Sequence, residues 1–314
     1  MSLMRRSLIA ASQSRWLRER APRYGFMRRT VKRFMPGERA EDAVDAARKL
    51  EAEGVRTIFT RLGENVTDRA EAEEVVAHYL GVGEKIRSAG LGTELSVKLT
   101  QVGLDLDTEF CFENLATLAE QTPREKILWI DMEQSPYVDV TLEIYERARA
   151  RYANVGVCVQ AYLYRTVRDV ERLIAMEASV RLVKGAYNEP AEIAFPLKKD
   201  VDENYAELAK MLLAAELKPP RNAGGFRPRA ALATHDTRLI ASLAKWAEEN
   251  GLPKERVEIQ MLYGIQRAEQ LRLARAGYRS GVLVAYGTYW FPWFMRRLAE
   301  RPANVTFLAR NLFR

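Results

Sequence analysis

From residue 40 onward the chain alternates between two hydrophobic rhythms. Apolar positions recur every three to four residues over 40–53, 68–89, 107–120, 137–150, 166–177, 201–217, 236–250, 266–276 and 289–301, the spacing of a helix with one buried face. Short apolar runs lie between them: Val55–Thr60, Leu95–Leu99, Ile127–Ile130, Val155–Val159, Val180–Val183, Ala230–Ala233, Val257–Met261 and Gly281–Ala285. Their length and β-branched content predict buried strands. Eight strands, each followed by a helix, predict a parallel sheet, and eight such units in roughly 250 residues are the arithmetic of a (β/α)8 barrel. A doubly wound sheet is the alternative. It usually carries a Gly-rich phosphate loop after its first strand, where this chain has Arg61-Leu62-Gly63-Glu64 and no Walker sequence anywhere. The predicted organisation is an N-terminal arm, residues 1–39, and one barrel domain, residues 40–314.

Charge sets the arm apart. Residues 1–39 hold eleven Lys/Arg against two acids, a balance of +9, and the remainder holds 38 against 40, a balance of −2. The arm also carries Trp16, Leu17, Tyr24, Phe26, Met27 and Phe34. Cations interleaved with aromatics suit an anionic membrane surface or nucleic acid. The plainer reading is a helical arm that packs its apolar face on the barrel and leaves its arginines in water. An Arg- and Ser-rich segment poor in acids also fits a transit peptide. No apolar run approaches the ~18 residues that span a bilayer. Cys111 and Cys158 have no metal or redox spacing and read as small core residues in a reducing compartment.

Active sites of such barrels lie at the C-terminal ends of the strands. The residues expected there are Arg61, Lys98, Asp131 with Glu133, Gln160, Arg181 with Lys184, Thr234 with His235, and Gln260. The set is rich in donors and implies an anionic ligand. Strand alternation puts Val180 and Leu182 on one face of the fifth strand and Ser179, Arg181 and Val183 on the other. A buried arginine there needs a partner, so an ion pair at the strand end is the bland alternative to a site. Gly185 lets the chain turn tightly just beyond it. Asp131-x-Glu133 could hold Mg²⁺, but so many neighbouring cations favour a salt bridge to Lys98 or Arg181. Lys98 or Lys184, desolvated at the mouth, would also serve a Schiff-base lyase. With His78 placed in a helix pattern, His235 alone builds no His-rich zinc site. Near the C-terminus, Arg296-Arg297 with Glu300 one turn on forms two planar forks fit to clamp a carboxylate or phosphate.

Arg181-Leu182-Val183-Lys184-Gly185-Ala186-Tyr187, Ala233-Thr234-His235, Gln260-Met261-Leu262-Tyr263-Gly264 and Arg296-Arg297-x-x-Glu300 resemble the proline dehydrogenase family in its short bacterial monofunctional form. Lys98 in Leu95–Thr100, Asp131-Met132-Glu133 and Gln160–Leu163 fit in the same order, over about residues 40–310. The resemblance implies a distorted (β/α)8 TIM barrel with FAD at its C-terminal mouth. It implies oxidation of L-proline to 1-pyrroline-5-carboxylate, electrons passing to a membrane quinone, and no nucleic-acid partner. Arg181 would sit beside the flavin. Gln160, the backbone at Met132 and the loop Val183, Lys184, Gly185, Ala186 would hold its ring system and pyrophosphate, and Thr234 and His235 would complete the site. Lys98, Arg296 and Arg297 would bind the substrate carboxylate, with Glu300 steadying the arginines, Asp131 orienting Lys98 and Arg181, and Leu262 lining the ring pocket. Two positions depart from the family pattern: Leu283 and Trp293 stand where tyrosines usually shape the proline pocket, which opens hydroxyproline or another secondary amino acid as substrate. The implied location is the cytoplasm, with peripheral contact at the inner face of the cell membrane. The arm matches the helical arm of that form, which weakens the transit-peptide reading.

Overall fold

Eight strands at the expected places form a closed parallel barrel in a computed structural model of the chain, which describes Arg20, Met27, residues 30–219 and residues 226–300, the last two of them as backbone alone. The strands are β1 (Arg56–Arg61), β2 (Glu94–Val97), β3 (Leu128–Ile130), β4 (Val155–Gln160), β5 (Ser179–Val183), β6 (Ala230–Ala233), β7 (Glu258–Leu262) and β8 (Arg279–Tyr286). β1 closes the ring, with Ile58 opposite Glu94 of β2 on one side and Leu283 of β8 on the other. The helices are α1 (Ala40–Glu51), which precedes β1, then α2 (Arg69–Ser88), α3 (Thr108–Gln121), α4 (Val138–Arg149), α5 (Thr166–Ala175), α6 (Lys198–Leu217), α7 (Thr237–Glu249), α8 (Arg267–Arg275) and α9 (Trp290–Glu300). Helix starts follow capping chemistry. Asp68, Asp107 and Asp236 each accept a bond from a first-turn amide, at 3.0, 2.7 and 3.3 Å, which stabilises each start by about 1 kcal/mol.

The outward faces of the strands and the inward faces of the helices share one core; Val180 and Leu182 of β5 lie in it with Tyr205, Leu208 and Leu212 of α6. The barrel interior holds Ile58, Ile127, Trp129 and Ala231, with Leu283 packed against them. Gly156 is opposite Trp129 in the β3–β4 register, and a Cβ there would stand 2.8 Å from the indole, so the ring occupies the space this glycine leaves. Below the ring, Arg229 joins Glu94 and Glu258 in one buried network, with Trp129 Nε1 donating to Glu94 at 2.8 Å. Burial alone would raise the Glu258 carboxyl, but Arg229 and Arg279 outweigh it and hold the group below its usual range.

The distortion lies at the ends of the chain. α1, not the last helix, packs Ala43, Val44, Ala47 and Leu50 against Phe59, Val282 and Val284 of β1 and β8. α9 instead crosses the C-terminal mouth and seats Trp290, Phe294 and Leu298 on Met27, Val31, Phe34 and Met35. These four are the arm's described apolar contacts, and most of the arm expected over 1–39 lies outside the described residues. One strand ends short of expectation: Leu99 is in a 3₁₀ turn, Leu99–Gln101, where Glu133 takes the Thr100 amide.

Replacing Arg229 with Met should leave Glu94 and Glu258 buried without their shared cation. The expected loss is about 3–5 kcal/mol of unfolding free energy in urea, the range for breaking a buried ion pair by removing one partner. A loss under about 1 kcal/mol would show that the network does not hold the barrel's lower end.

Candidate active site

The mouth opens into a cavity of about 880 Å³, at the upper end of the range for small-molecule sites. Every residue singled out above as a cofactor or substrate contact lines it, with the exception of Glu300, whose side chain lies outside the described residues. Each βα loop enters a helix at this rim, so helix N-termini face the cavity and favour negative charge.

Arg181 is the centre. Its side chain is 4% exposed, and Nη1 donates to Asp131 Oδ1 at 2.9 Å and to Ser96 Oγ at 2.9 Å. The guanidinium carbon stands 4.6 Å from the centre of the Trp129 ring, so a cation–π contact supports it from below. Ser96 Oγ donates to Asp131 Oδ1 at 2.8 Å, and Lys98 Nζ lies 3.7 Å from Oδ2. One carboxylate therefore sets two cations. Arg181 Nε and Nη2 and Gln160 Oε1 are buried and have no hydrogen-bond partner among the described residues. Buried polar atoms left unpaired are rare, and three of them on side chains of one cavity mark a place for a ligand with both donors and acceptors. Gln160 is itself held by its Nε2, which donates to the Glu133 carbonyl at 3.1 Å.

The loop after β5 forms the next wall. Gly185 has φ +112°, and a Cβ there would stand 2.4 Å from the Tyr162 ring, so only glycine lets the chain fold over that ring. Val183 and Ala186 flank this turn. Lys184 pairs with Asp202 at 2.5 Å and Asp236 at 3.3 Å. Burial works against ionising Asp236, but the Leu239 amide and Lys184 outweigh it and hold the carboxyl below its usual range. At the opposite rim, His235 Nε2 accepts from the Leu262 amide at 2.9 Å, which puts the ring proton on Nδ1. Thr234 Oγ1 accepts from the Asp236 amide at 3.2 Å.

α9 roofs the site. Arg296 reaches Glu64 through both terminal nitrogens, at 2.9 and 3.2 Å, and its guanidinium carbon is 5.7 Å from the Tyr187 ring centre. Arg297 and Trp293 line the same space, and Leu283 closes it from β8.

Two expected mouth residues are elsewhere. Arg61 turns outward to Glu74 of α2 at 3.5 Å and does not line the cavity. Glu133 also misses it; the chain has left the strand after Ile130, so i,i+2 no longer share a face. His78 lies in α2, as its helix pattern predicts, with its Nε2 3.0 Å from Tyr286 Oη. Asp131 takes the salt-bridge role foreseen for it. Glu64 was not foreseen as a partner of Arg296. The two are 232 positions apart, and no local spacing joins them. Among the described residues no group of three or more His, Cys, Asp or Glu is placed to hold a metal.

The chain matches the family model described as Proline dehydrogenase over residues 43–310. It is similar to proline dehydrogenase 1 of Bacillus subtilis strain 168, with 36% identity over 313 residues, 99% of this chain and 100% of that one. The proline dehydrogenase of Deinococcus radiodurans is 35% identical over 295 residues, 90% of each chain. Among solved structures, proline utilization A from Bdellovibrio bacteriovorus, inactivated by N-propargylglycine, shares the fold with a TM-score of 0.78 at 24% identity; the match covers 87% of this chain and 33% of that one.

Glu133 gives the site a pH signature. Burial pushes its carboxyl up to about 7, against the opposing pull of Lys98 and of the Thr100 bonds to it. The folded state then holds a proton that the unfolded chain has released between the ordinary value of 4.5 and about 7. The stability from this group is complete below that window and falls as pH rises through it, by about 3 kcal/mol in all. Glu133→Gln, isosteric with the protonated acid, should flatten this fall. Urea unfolding at pH 5 and pH 8 measures it: the wild type should lose about 2–3 kcal/mol more than the variant between the two. Parallel pH profiles would show that Glu133 does not titrate there.

Proposed function

The chain belongs to the proline dehydrogenase family, and on that premise we propose that it oxidises L-proline to 1-pyrroline-5-carboxylate with bound FAD and hands the electrons to a membrane quinone. The observation that carries the cofactor reading is the cavity of about 880 Å³ with orphaned donors on Arg181 and an orphaned acceptor on Gln160. A flavin ring system offers both kinds of partner at its edge, and its pyrophosphate suits a rim of helix N-termini. When bound, FAD supplies the two-electron acceptor for hydride from the ring carbon next to nitrogen.

The protein's share is position and charge. Arg181 would serve as a fixed cation beside the cofactor, where negative charge would grow on reduction, and Asp131, Ser96 and Trp129 already hold it so that little need reorganise. Met132, Gln160 and the turn Val183, Lys184, Gly185, Ala186 would cradle the cofactor, with Thr234 and His235 at its far end. Lys98, Arg296 and Arg297 would grip the substrate carboxylate, which fixes the ring between Leu262, Leu283 and Trp293. Glu64 steadies Arg296 from one side, and Glu300 is proposed to do so from the next turn of α9. No described helix is long and apolar enough to cross a membrane, so contact with a quinone-bearing membrane would be peripheral.

The purified protein should be yellow, and anaerobic L-proline should bleach its flavin spectrum. A colourless protein would remove the cofactor reading, and a yellow one bleached by hydroxyproline alone would move the substrate. Arg296→Met should raise KM for proline by about one to two orders of magnitude, each charged hydrogen bond contributing about 1.5–3 kcal/mol. An unchanged KM would reject the carboxylate clamp.

A further inference from the structure

The loop between β1 and α2 carries Glu64, the partner of Arg296, and its shape is unusual. Asn65 has φ +56°, a left-handed conformation uncommon outside glycine and taken most readily by asparagine. Its surroundings hold the turn in that conformation. The Asn65 amide donates to Thr100 Oγ1 at 3.1 Å, and the Val66 amide to Thr100 O at 2.9 Å. The Asn65 side chain donates to Asp105 at 3.0 Å and to Tyr137 Oη at 3.1 Å. Thr100 is in turn fixed from behind, since its amide and hydroxyl both donate to the buried Glu133, at 3.1 and 2.7 Å. A hydroxyl has one proton. With Glu133 ionised that proton is spent on its carboxylate, and Thr100 Oγ1 is left as a pure acceptor aimed at Asn65.

The geometry points to Thr100 and Glu133 as positioning residues for substrate binding: they lock the left-handed turn at Asn65 and so set the height at which Glu64 holds the Arg296 fork. This extends the proposed carboxylate clamp and rests on it. It also gives Glu133 an occupation that needs no contact with the cavity. Thr100, in the 3₁₀ turn after β2, thereby acts on α9, across the mouth, through two hydrogen bonds to the loop and one ion pair.

The test is Thr100→Val, which keeps shape and backbone and deletes the hydroxyl. KM for L-proline should rise about tenfold, with kcat and flavin content within twofold of wild type, and Thr100→Ser should restore it. In a Glu64→Ala background the same substitution should have no further effect on KM, since the two act in series. Amide hydrogen exchange over 62–66 is read in parallel and does not need turnover; it should quicken about tenfold in Thr100→Val. Thr100→Ala, which deletes the same hydroxyl without adding a branch, carries the same test if Thr100→Val does not fold. Thr122→Val is the control, because it too removes a threonine hydroxyl, one that donates to the Leu118 carbonyl at the end of α3 and makes no bond to the loop; it should change none of these. An unchanged KM, a KM effect that persists without Glu64, or a joint fall of kcat and flavin content would each overturn the proposal. So would unchanged exchange over 62–66, which decides the matter even if the wild type proves not to oxidise proline.

Discussion

A guanidinium cannot stand inside a barrel on apolar support, so Arg181 is there only because Asp131 is. Much of the upper barrel follows from that pair. β3 ends at Ile130 so that Asp131, its amide tied to Val97 O at 2.8 Å, can turn its carboxylate inward. Ser96 of β2 completes the contact, and Lys98 draws on the other oxygen. Two neighbouring strands, β2 and β3, therefore converge, through side chains, on one residue of β5. The pair leaves two nitrogens of Arg181 without partners among the described residues. A purely structural ion pair would be expected to satisfy them; a site holds them ready.

The same logic organises the barrel along its axis. Its interior is an apolar plug between two charged layers. The lower layer is Arg229 with Glu94 and Glu258, closed and internally paired. The upper one is Arg181 with Asp131 and Lys98, open toward the cavity. Trp129 joins them: its indole N–H bonds to Glu94 below, and its face supports Arg181 above. Gly156 is what admits a ring of that size. The rigidity of the lower end thus reaches the arginine at the upper end through a single side chain.

The fold was legible because burial sets hydrophobic period, and period is local. Strand and helix limits lie within a few residues of those read from the sequence, and β6, Ala230–Ala233, coincides with its prediction. Convergence at the mouth was legible too, since a barrel brings all strand ends together whatever lies between them. What escaped is direction. Arg61 is still in the β1 ladder opposite Tyr286, and alternation turns it outward with Phe59 toward Glu74 while Ile58 and Thr60 face inward; Glu133 lies beyond the end of β3, where alternation no longer constrains it, and reaches Thr100. Glu64 escaped for another reason. Its partner is on a helix whose placement depends on tertiary packing, and no periodicity encodes that.

That helix is the part of the site the barrel itself does not determine. α9 has no strand register to fix it, and the wall position a last helix would take is filled by α1. It is held instead by three things outside the ring: the apolar seat of Met27, Val31, Phe34 and Met35, the bond from Trp290 Nε1 to Glu38 at 3.0 Å, and the Arg296–Glu64 pair. The aromatic run before the two arginines, odd for an exposed helix, is explained by that seat. It follows that the segment just before α1 has a task at the active site even though none of its described residues lines the cavity. Arg181 is fixed by the pairing of a buried charge. The arginines opposite are fixed by packing between the two ends of the described chain, and the space between those two kinds of anchor is where a substrate's size and shape would be judged.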